Sequence, residues 1–155
     1  MFTYLQFLLK STNEHAVHSP FVFNYITKGI YKSKLVVKNN KSLTWLLRSV
    51  VYFNDITFFY QNLTKDFDEI KTATSISNAK IIVEEYQSTK IDHINGIIQN
   101  LKNDQILLLI LNNYPKSFMN NLRANKDLIL VVDFYYGCLI SKRTEQPKQN
   151  FYIRF

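Results

Sequence analysis

The residues near the amino terminus whose types could do chemistry are two histidines and a glutamate. His15 and His18 are separated by two residues, and Glu14 directly precedes the first of them. Imidazole and carboxylate groups are ordinary zinc ligands. The spacing differs from H-E-x-x-H, in which the histidines lie one helical turn apart and the glutamate acts as a base. We therefore expect a structural role, with the imidazoles hydrogen-bonded to the turn that leads into Pro20, and a metal site is the alternative.

Three further groups lack the partners that chemistry would require. Cys138 lies inside an apolar run without a neighbouring histidine, so we expect a buried, unreactive thiol. His93 has no acidic or nucleophilic neighbour within its predicted helix. The cluster Asp66, Asp68 and Glu69 lacks the glycine and the distal glutamate of an EF-hand loop, so we interpret it as a solvated helix start. The sequence contains no phosphate-binding, dinucleotide-binding or G-x-S-x-G motif.

Apolar periodicity divides the chain into a helical first third and an α/β remainder. The predicted helices of the first third are about 2–12, 20–32 and 42–53. Ser19 is expected to be the N-cap of the second helix, with Pro20 at its first position. The predicted strands of the remainder are 56–60, 81–83, 106–111, 128–134 and 139–142, and its helices are about 88–102 and 115–124.

Two local signals refine this pattern. Thr89 and Asp92 stand at capping-box spacing and predict the start of the helix at 88–102. Tyr136-Gly137 separates the last two apolar runs and predicts a tight hairpin turn. The strands alternate with helices, so ligands would be expected at the carboxyl ends of the strands.

Length and composition restrict the class of protein. A chain of 155 residues, 46% of them hydrophobic, fits one domain with a buried core. A single cysteine cannot form an internal disulfide, which favours a reducing, cytoplasmic setting. The apolar run from Phe2 to Leu9 is too short to cross a bilayer, so we expect no membrane association. The net charge of +7 would suit nucleic acid, but the lysines look scattered and no binding motif accompanies them, so we expect no such partner.

Three stretches carry a recognisable pattern. The first reads Asn13-Glu-His-Ala-Val-His-Ser-Pro-Phe-Val-Phe23, the second runs from Ile81 to Leu111, and the third runs from Val131 to Arg154. Together they resemble a bacterial family of class I S-adenosylmethionine-dependent methyltransferase-like proteins. They are similar to its N-terminal H-x-x-H-S-P-F-V-F segment, to its fourth strand with the following helix and fifth strand, and to its last hairpin and ending. The resemblance implies a Rossmann-like sheet.

The chain departs from this family where the cofactor would bind. Class I methyltransferases carry an acidic residue and a glycine-rich turn after the first strand, because glycine lets the backbone approach the cofactor closely. The corresponding segment here, which includes Asp55, Gln61 and Asn62, contains no glycine. Residues 54–79 are also too few for three strands and their helices, since one βαβ unit takes about 30 residues. The chain's glycines lie in two predicted helices and in the predicted hairpin turn: Gly29, Gly96 and Gly137.

The side on which catalysis would occur differs as well. Metal-dependent O-methyltransferases that resemble this fold keep acidic residues after the fourth and fifth strands, which bind a divalent cation. This chain has Glu84 and Glu85 after the fourth strand, and Asn112 and Asn113 after the fifth. A magnesium or manganese site made by Glu84, Glu85 and Asn112 is one interpretation, and a solvated pair of glutamates beside an Asn-rich loop is the other.

We therefore expect a single domain over 1–155, with a helical part at 1–53 and an α/β part at 54–155. The predicted fold class is α/β: a reduced Rossmann-like methyltransferase fold with three N-terminal helices, a mainly parallel sheet of about five strands and a C-terminal antiparallel hairpin. We expect neither ordinary S-adenosylmethionine binding nor catalysis, and no other cofactor. The expected role is structural or partner-binding, with a second copy or another protein at an exposed sheet edge.

Two alternative functions stay open. The first is an active S-adenosylmethionine-dependent methyltransferase whose cofactor site is non-standard or completed by a partner. The second is a basic nucleic-acid-binding module, whose affinity would fall steeply with salt.

Overall fold

The computed structural model describes residues 4–53, 58–60 and 75–155, which contain five helices and a six-stranded sheet. The helices are α1 (Tyr4–Lys10), α2 (Pro20–Asn24, continued by a π-helical stretch Tyr25–Tyr31), α3 (Lys41–Tyr52), α4 (Ile91–Asn100) and α5 (Lys116–Ala124). The strands are β1 (Phe58–Tyr60), β2 (Ile81–Glu85), β3 (Ile106–Ile110), β4 (Leu130–Asp133), β5 (Gly137–Ser141) and β6 (Gln149–Tyr152). In these ranges, no helix combines the length and apolarity that crossing a membrane requires.

The strand order in the sheet is β1-β2-β3-β5-β4-β6. Pairing is parallel between β1 and β2, β2 and β3, and β4 and β6, whereas β5 is antiparallel to both β3 and β4. The predicted α/β class and the C-terminal hairpin are confirmed. The prediction of a mainly parallel sheet is wrong, because β5 returns from β4 through a tight turn and inserts between β3 and β4, which makes the sheet mixed.

The edge strand β6 was not among the predicted strands. It has only four residues, none of them fully buried, so it lacks the apolar run by which the inner strands were found. The segment after α1 extends its pairing, because Thr12 forms a parallel bridge with Ile153. Thr12 N donates to Tyr152 O at 2.7 Å, and Arg154 N donates to Thr12 O at 3.4 Å. The beginning and the end of the described chain are therefore joined at this edge.

Hydrophobic side chains pack on both faces of the sheet. Ile81 and Val83 of β2 face the side covered by α2 and α3, whereas Ile82 faces the side covered by α4 and α5. Every residue of β3 is buried, which explains why Ile106–Ile110 reads as an uninterrupted apolar run. Each such aliphatic side chain contributes about 1.5–3 kcal/mol when removed from water. The sequence signal for this strand is thus the energetic reason for its place in the sheet.

The two predicted helix starts have different outcomes. Ser19 is the N-cap of α2, with its Oγ accepting from Val22 N at 3.4 Å, and Pro20 is the first helical residue, as predicted. The capping box at Thr89 is not formed, because α4 begins at Ile91 without a side-chain cap. A 3-10 turn over Ser88–Lys90 precedes this helix and supplies backbone hydrogen bonds in its place.

The hairpin turn between β4 and β5 differs from the prediction in its special residue. Tyr135 has the left-handed backbone conformation, with φ of 70°, and Asp133 Oδ1 accepts from its N–H at 2.9 Å. Gly137 does not have a positive φ and is the first residue of β5. A Cβ atom at this position would overlap the indole of Trp45. Close packing, and not turn geometry, therefore requires the glycine.

Candidate functional site

The carboxylate of Asp133, at the end of β4, is fully buried and fully hydrogen-bonded. Its Oδ2 accepts from Tyr114 Oη at 2.5 Å and from Arg123 Nη1 at 2.9 Å, and its Oδ1 accepts from Tyr135 N at 2.9 Å. Tyr114 follows β3 and Arg123 lies in the last turn of α5, so the β3–α5 connection brings both donors over the end of β4. We call Tyr114, Arg123, Asp133 and Tyr135 the strand-end cluster.

Burial controls the electrostatics of the strand-end cluster. It raises the pKa of Asp133, against the lowering effects of the hydrogen bonds from Tyr114 and Tyr135 and of the Arg123 charge. Burial and the negative charge of Asp133 together raise the pKa of Tyr114, so this phenol keeps the proton that it donates. The Arg123 side chain is 13% exposed. A buried ion pair persists only when its groups are paired and hydrogen-bonded, and this one uses both carboxylate oxygens internally.

Aromatic rings cover this cluster. The rings of Tyr114 and Tyr135 stack with centres 4.8 Å apart and planes 6° apart. Phe7 of α1, which is fully buried, meets Tyr135 edge-on at 5.3 Å, and Tyr4 meets the same ring at 5.0 Å. Edge-on and stacked pairs are the favoured aromatic geometries. Helix α1 therefore fills the space above the strand ends with its own rings.

The predicted carboxylate pair Glu84 and Glu85 is separated by the geometry of β2, since successive side chains of a strand point to opposite faces. Glu84 is buried, and its Oε1 lies 3.4 Å from Nε2 of His93 in α4. Glu85 is exposed and accepts a hydrogen bond from the Asn112 side-chain amide, and Asn113 is exposed. The structure brings Glu85 and Asn112 together but places Glu84 elsewhere. His93, which lacks an acidic neighbour in sequence, acquires one through the fold.

The N-terminal histidines are both exposed. Nε2 of His15 lies 3.7 Å from Oε1 of Glu14, and in the described part of the chain neither imidazole is hydrogen-bonded to the turn before α2. Ser19 holds that turn instead, because its Oγ also donates to Gln146 Oε1 at 3.3 Å. The predicted structural bond of the histidines is thus replaced by that of the neighbouring serine.

The three glycines lie in helices and at a strand start. Gly29 is in the π-helical stretch after α2, where a Cβ atom would lie 2.8 Å from the ring of Tyr52. Gly96 is in α4, and a Cβ there would meet nothing within 4 Å. Gly137 packs against Trp45, as described above. None of them lies at the end of a parallel strand, where a cofactor-binding turn would be.

Cys138 in β5 is fully buried, and burial raises the pKa of its thiol, as expected for an unreactive cysteine. Over the ranges that the structure describes, no group of three or more His, Cys, Asp or Glu side chains is arranged to hold a metal ion. The residues Asp55, Gln61 and Asn62, expected beside a cofactor turn, lie outside the described residues, as does the predicted helix start at Asp66, Asp68 and Glu69.

Sequence reasoning did not identify the strand-end cluster. The signal was present, because Asp133 is a lone carboxylate inside the apolar run 128–134, and such a group must find a partner when it is buried. Arg123 lies in the preceding helix, as the basic residue of its last turn. Comparison with known proteins found no matching family model, curated protein or solved structure.

Proposed function

We propose that this chain is a reduced methyltransferase-like domain that neither binds S-adenosylmethionine in the ordinary way nor catalyses methyl transfer, and that it has a structural or partner-binding role. The observation that carries the proposal is the internal pairing at the strand ends. Asp133 is bonded to Tyr114 and Arg123, and Glu85 accepts from Asn112. Groups that would bind cofactor or metal in an enzyme are here engaged with one another.

The strand order supports the methyltransferase-like part of the proposal. A classic doubly wound sheet has the order 3-2-1-4-5-6. Removing its second and third strands would leave the first, fourth and fifth as parallel neighbours, and β1, β2 and β3 are parallel neighbours in that sequence order. The hairpin of β4 and β5 then corresponds to the family's last hairpin. The missing second strand is the one whose end would hold the cofactor ribose.

The glycines support the loss of ordinary cofactor binding. Gly29 and Gly137 are required by contacts with Tyr52 and Trp45, and Gly96 is inside a helix. The segment 61–74, which follows β1 in sequence, contains no glycine. The close backbone approach to S-adenosylmethionine therefore has no residue to make it.

Titration with S-adenosylmethionine and S-adenosylhomocysteine tests this proposal. We expect no saturable heat of binding and no rise in melting temperature at millimolar ligand, in protein shown to be folded by circular dichroism. Specific binding would be visible, since ligand at about 100 times its Kd stabilises a protein by about 2.7 kcal/mol. Saturable micromolar binding would overturn the proposal and favour an enzyme.

A partner-completed methyltransferase is the second candidate, favoured by the position of β1 at one edge of the sheet. β1 pairs with β2 on one side, and among the described residues no strand pairs with its other side. Edge strands are templates for a strand from another chain. A dimer in sedimentation analysis that binds S-adenosylhomocysteine, when diluted monomer does not, would support this candidate, whereas a stable monomer without binding would remove it.

A further inference from the structure

A groove of about 910 Å³ lies between α1, the segment 32–40 and the start of α3. Leu8 of α1, Val36 and Val37 line it, together with the ring of Phe155. Val36 is 71% exposed, so this apolar lining is open to a ligand. Small-molecule sites have volumes of about 300–1,000 Å³ and mostly apolar walls with a few polar groups. The size and lining therefore suit a molecule with an aliphatic part.

Three cationic side chains line the same groove: Lys41, Arg48 and Arg154. Arg48 is held in place because its Nε and Nη1 donate to the carbonyl oxygens of Leu35 and Ile30, each at 2.8 Å. These bonds also fix the segment that forms one wall. The cations are thus part of a formed site and not only of a mobile surface.

None of these cations has an ionic partner in the described part of the chain, where no carboxylate lies within ion-pair distance of them. Residues 1–53 contain seven lysines and arginines and one acidic residue, Glu14, whereas the rest of the sequence contains twelve and eleven. Asn40 and Lys41 place the start of α3 at the groove, and the positive end of the helix dipole adds to the field there. The positive charge of the protein is therefore concentrated in the part that forms the groove.

We propose that this groove binds one anionic amphiphile, a molecule with a carboxylate head group on a single unbranched aliphatic chain. The head group would lie among Lys41, Arg48 and Arg154, which offer charge-assisted hydrogen bonds to an oxyanion. The chain would lie along Leu8 and Val36, which gain by leaving water. A concave site favours a single molecule over a membrane surface, because a flat bilayer reaches the rim of a groove and not its floor.

The proposal goes beyond the proposed function and does not depend on it. Its groups do not include Asp133, Glu85 or Asn112, and the ligand shares no chemistry with S-adenosylmethionine. Either titration can therefore fail while the other succeeds.

Calorimetric titration of the full chain with monomeric dodecanoate tests the proposal. We expect saturable one-to-one binding that weakens as salt is added, because the contacts are partly exposed. Dodecyltrimethylammonium, which has the same chain and the opposite charge, should bind at least about tenfold more weakly, the equivalent of about 1.4 kcal/mol. Equal binding of the two ligands would mean that the cations do not select the head group, and would overturn the proposal.

Paired variants separate the groove from general charge. Lys41→Gln combined with Arg154→Gln should weaken dodecanoate binding at least about fivefold, since each exposed ionic contact contributes up to about 1 kcal/mol. Lys28→Gln combined with Lys126→Gln removes the same charge from exposed positions outside the groove and should leave the affinity unchanged. Similar losses in both double variants, with circular dichroism unchanged, would contradict the assignment of the site.

A second pair tests the apolar wall and distinguishes a free amphiphile from a bilayer. Val36→Asp places a charge in the groove and should abolish binding, whereas Leu9→Asp, on an 82% exposed position of α1 outside it, should not. Flotation with anionic phosphatidylserine vesicles completes the test. Vesicle binding that Leu9→Asp removes, in protein without saturable dodecanoate binding, would replace the proposal by a membrane surface. Absence of both kinds of binding would also overturn it.

Discussion

The strand-end cluster and the basic groove (the groove lined by Lys41, Arg48 and Arg154) balance their charges in different ways. In the cluster, Asp133 is fully buried and receives hydrogen bonds on both oxygens from the chain itself. In the groove, the cations are placed without a carboxylate. Desolvation explains the contrast, because a buried charge must be paired when the chain folds, whereas a solvated cation can wait for a ligand. Polar residues that look catalytic by position can thus be structural, and unpaired surface charge can mark the functional region.

The largest effect expected from this comparison is that of Asp133→Asn. The substitution keeps the shape of the side chain but leaves Arg123 without its counter-charge in a site that is only 13% exposed. We expect the free energy of unfolding to fall by about 3 kcal/mol, measured by urea denaturation. Asp127→Asn, at an exposed position, should change it by less than about 0.5 kcal/mol. Equal effects of the two variants would remove the structural role of the cluster.

Close packing beside the cluster should give the next largest effect. Gly137→Ala places a methyl group in the volume of the Trp45 indole and should destabilise the protein by about 1–3 kcal/mol or more. Gly96→Ala is the matched control, because a Cβ there has open space inside α4, and it should stabilise by about 0.5–1 kcal/mol. Thermal denaturation of both variants checks the prediction. A neutral Gly137→Ala would mean that Trp45 can move away.

The smallest effect should come from the groove. Lys41→Gln combined with Arg154→Gln removes two exposed cations that lack carboxylate partners. Without ligand, we expect the free energy of unfolding to change by less than about 1 kcal/mol, because only a cation–π contact of Lys41 with Tyr4 and Tyr136 is lost. Denaturation under the conditions used for Asp133→Asn measures it. A loss as large as that of Asp133→Asn would abolish the distinction between the two regions.

The inner strands could be predicted from sequence because their burial writes itself into the residue types. β3 is buried on both faces and reads as Ile-Leu-Leu-Leu-Ile, so its place follows from composition alone. Ser19 and Pro20 likewise act within one turn of the chain, and the N-cap they predict is present. Signals that depend on adjacent residues were reliable where the local structure alone decides the outcome.

The features that sequence missed depend on residues far apart in the chain. Gly137 has the pattern of a turn residue, but its requirement comes from Trp45, which is 92 positions earlier. The basic groove unites Lys41 with Arg154, so its charge looks scattered in sequence. Glu84 and Glu85 look like a pair because they are adjacent, and the pleat of β2 separates them. Tertiary packing, and not local preference, determines each of these.

The bridge between Thr12 and Ile153 has a consequence for the order of events during synthesis. Thr12 can complete its hydrogen bonds with Tyr152 and Arg154 only after the C-terminal strand has left the ribosome. At about 5–20 residues per second, α1 and the segment behind it would wait on the order of ten seconds for their partners. Native docking of the amino terminus is therefore a post-translational step, and the exposed leucines of α1 would be available to chaperones in the meantime.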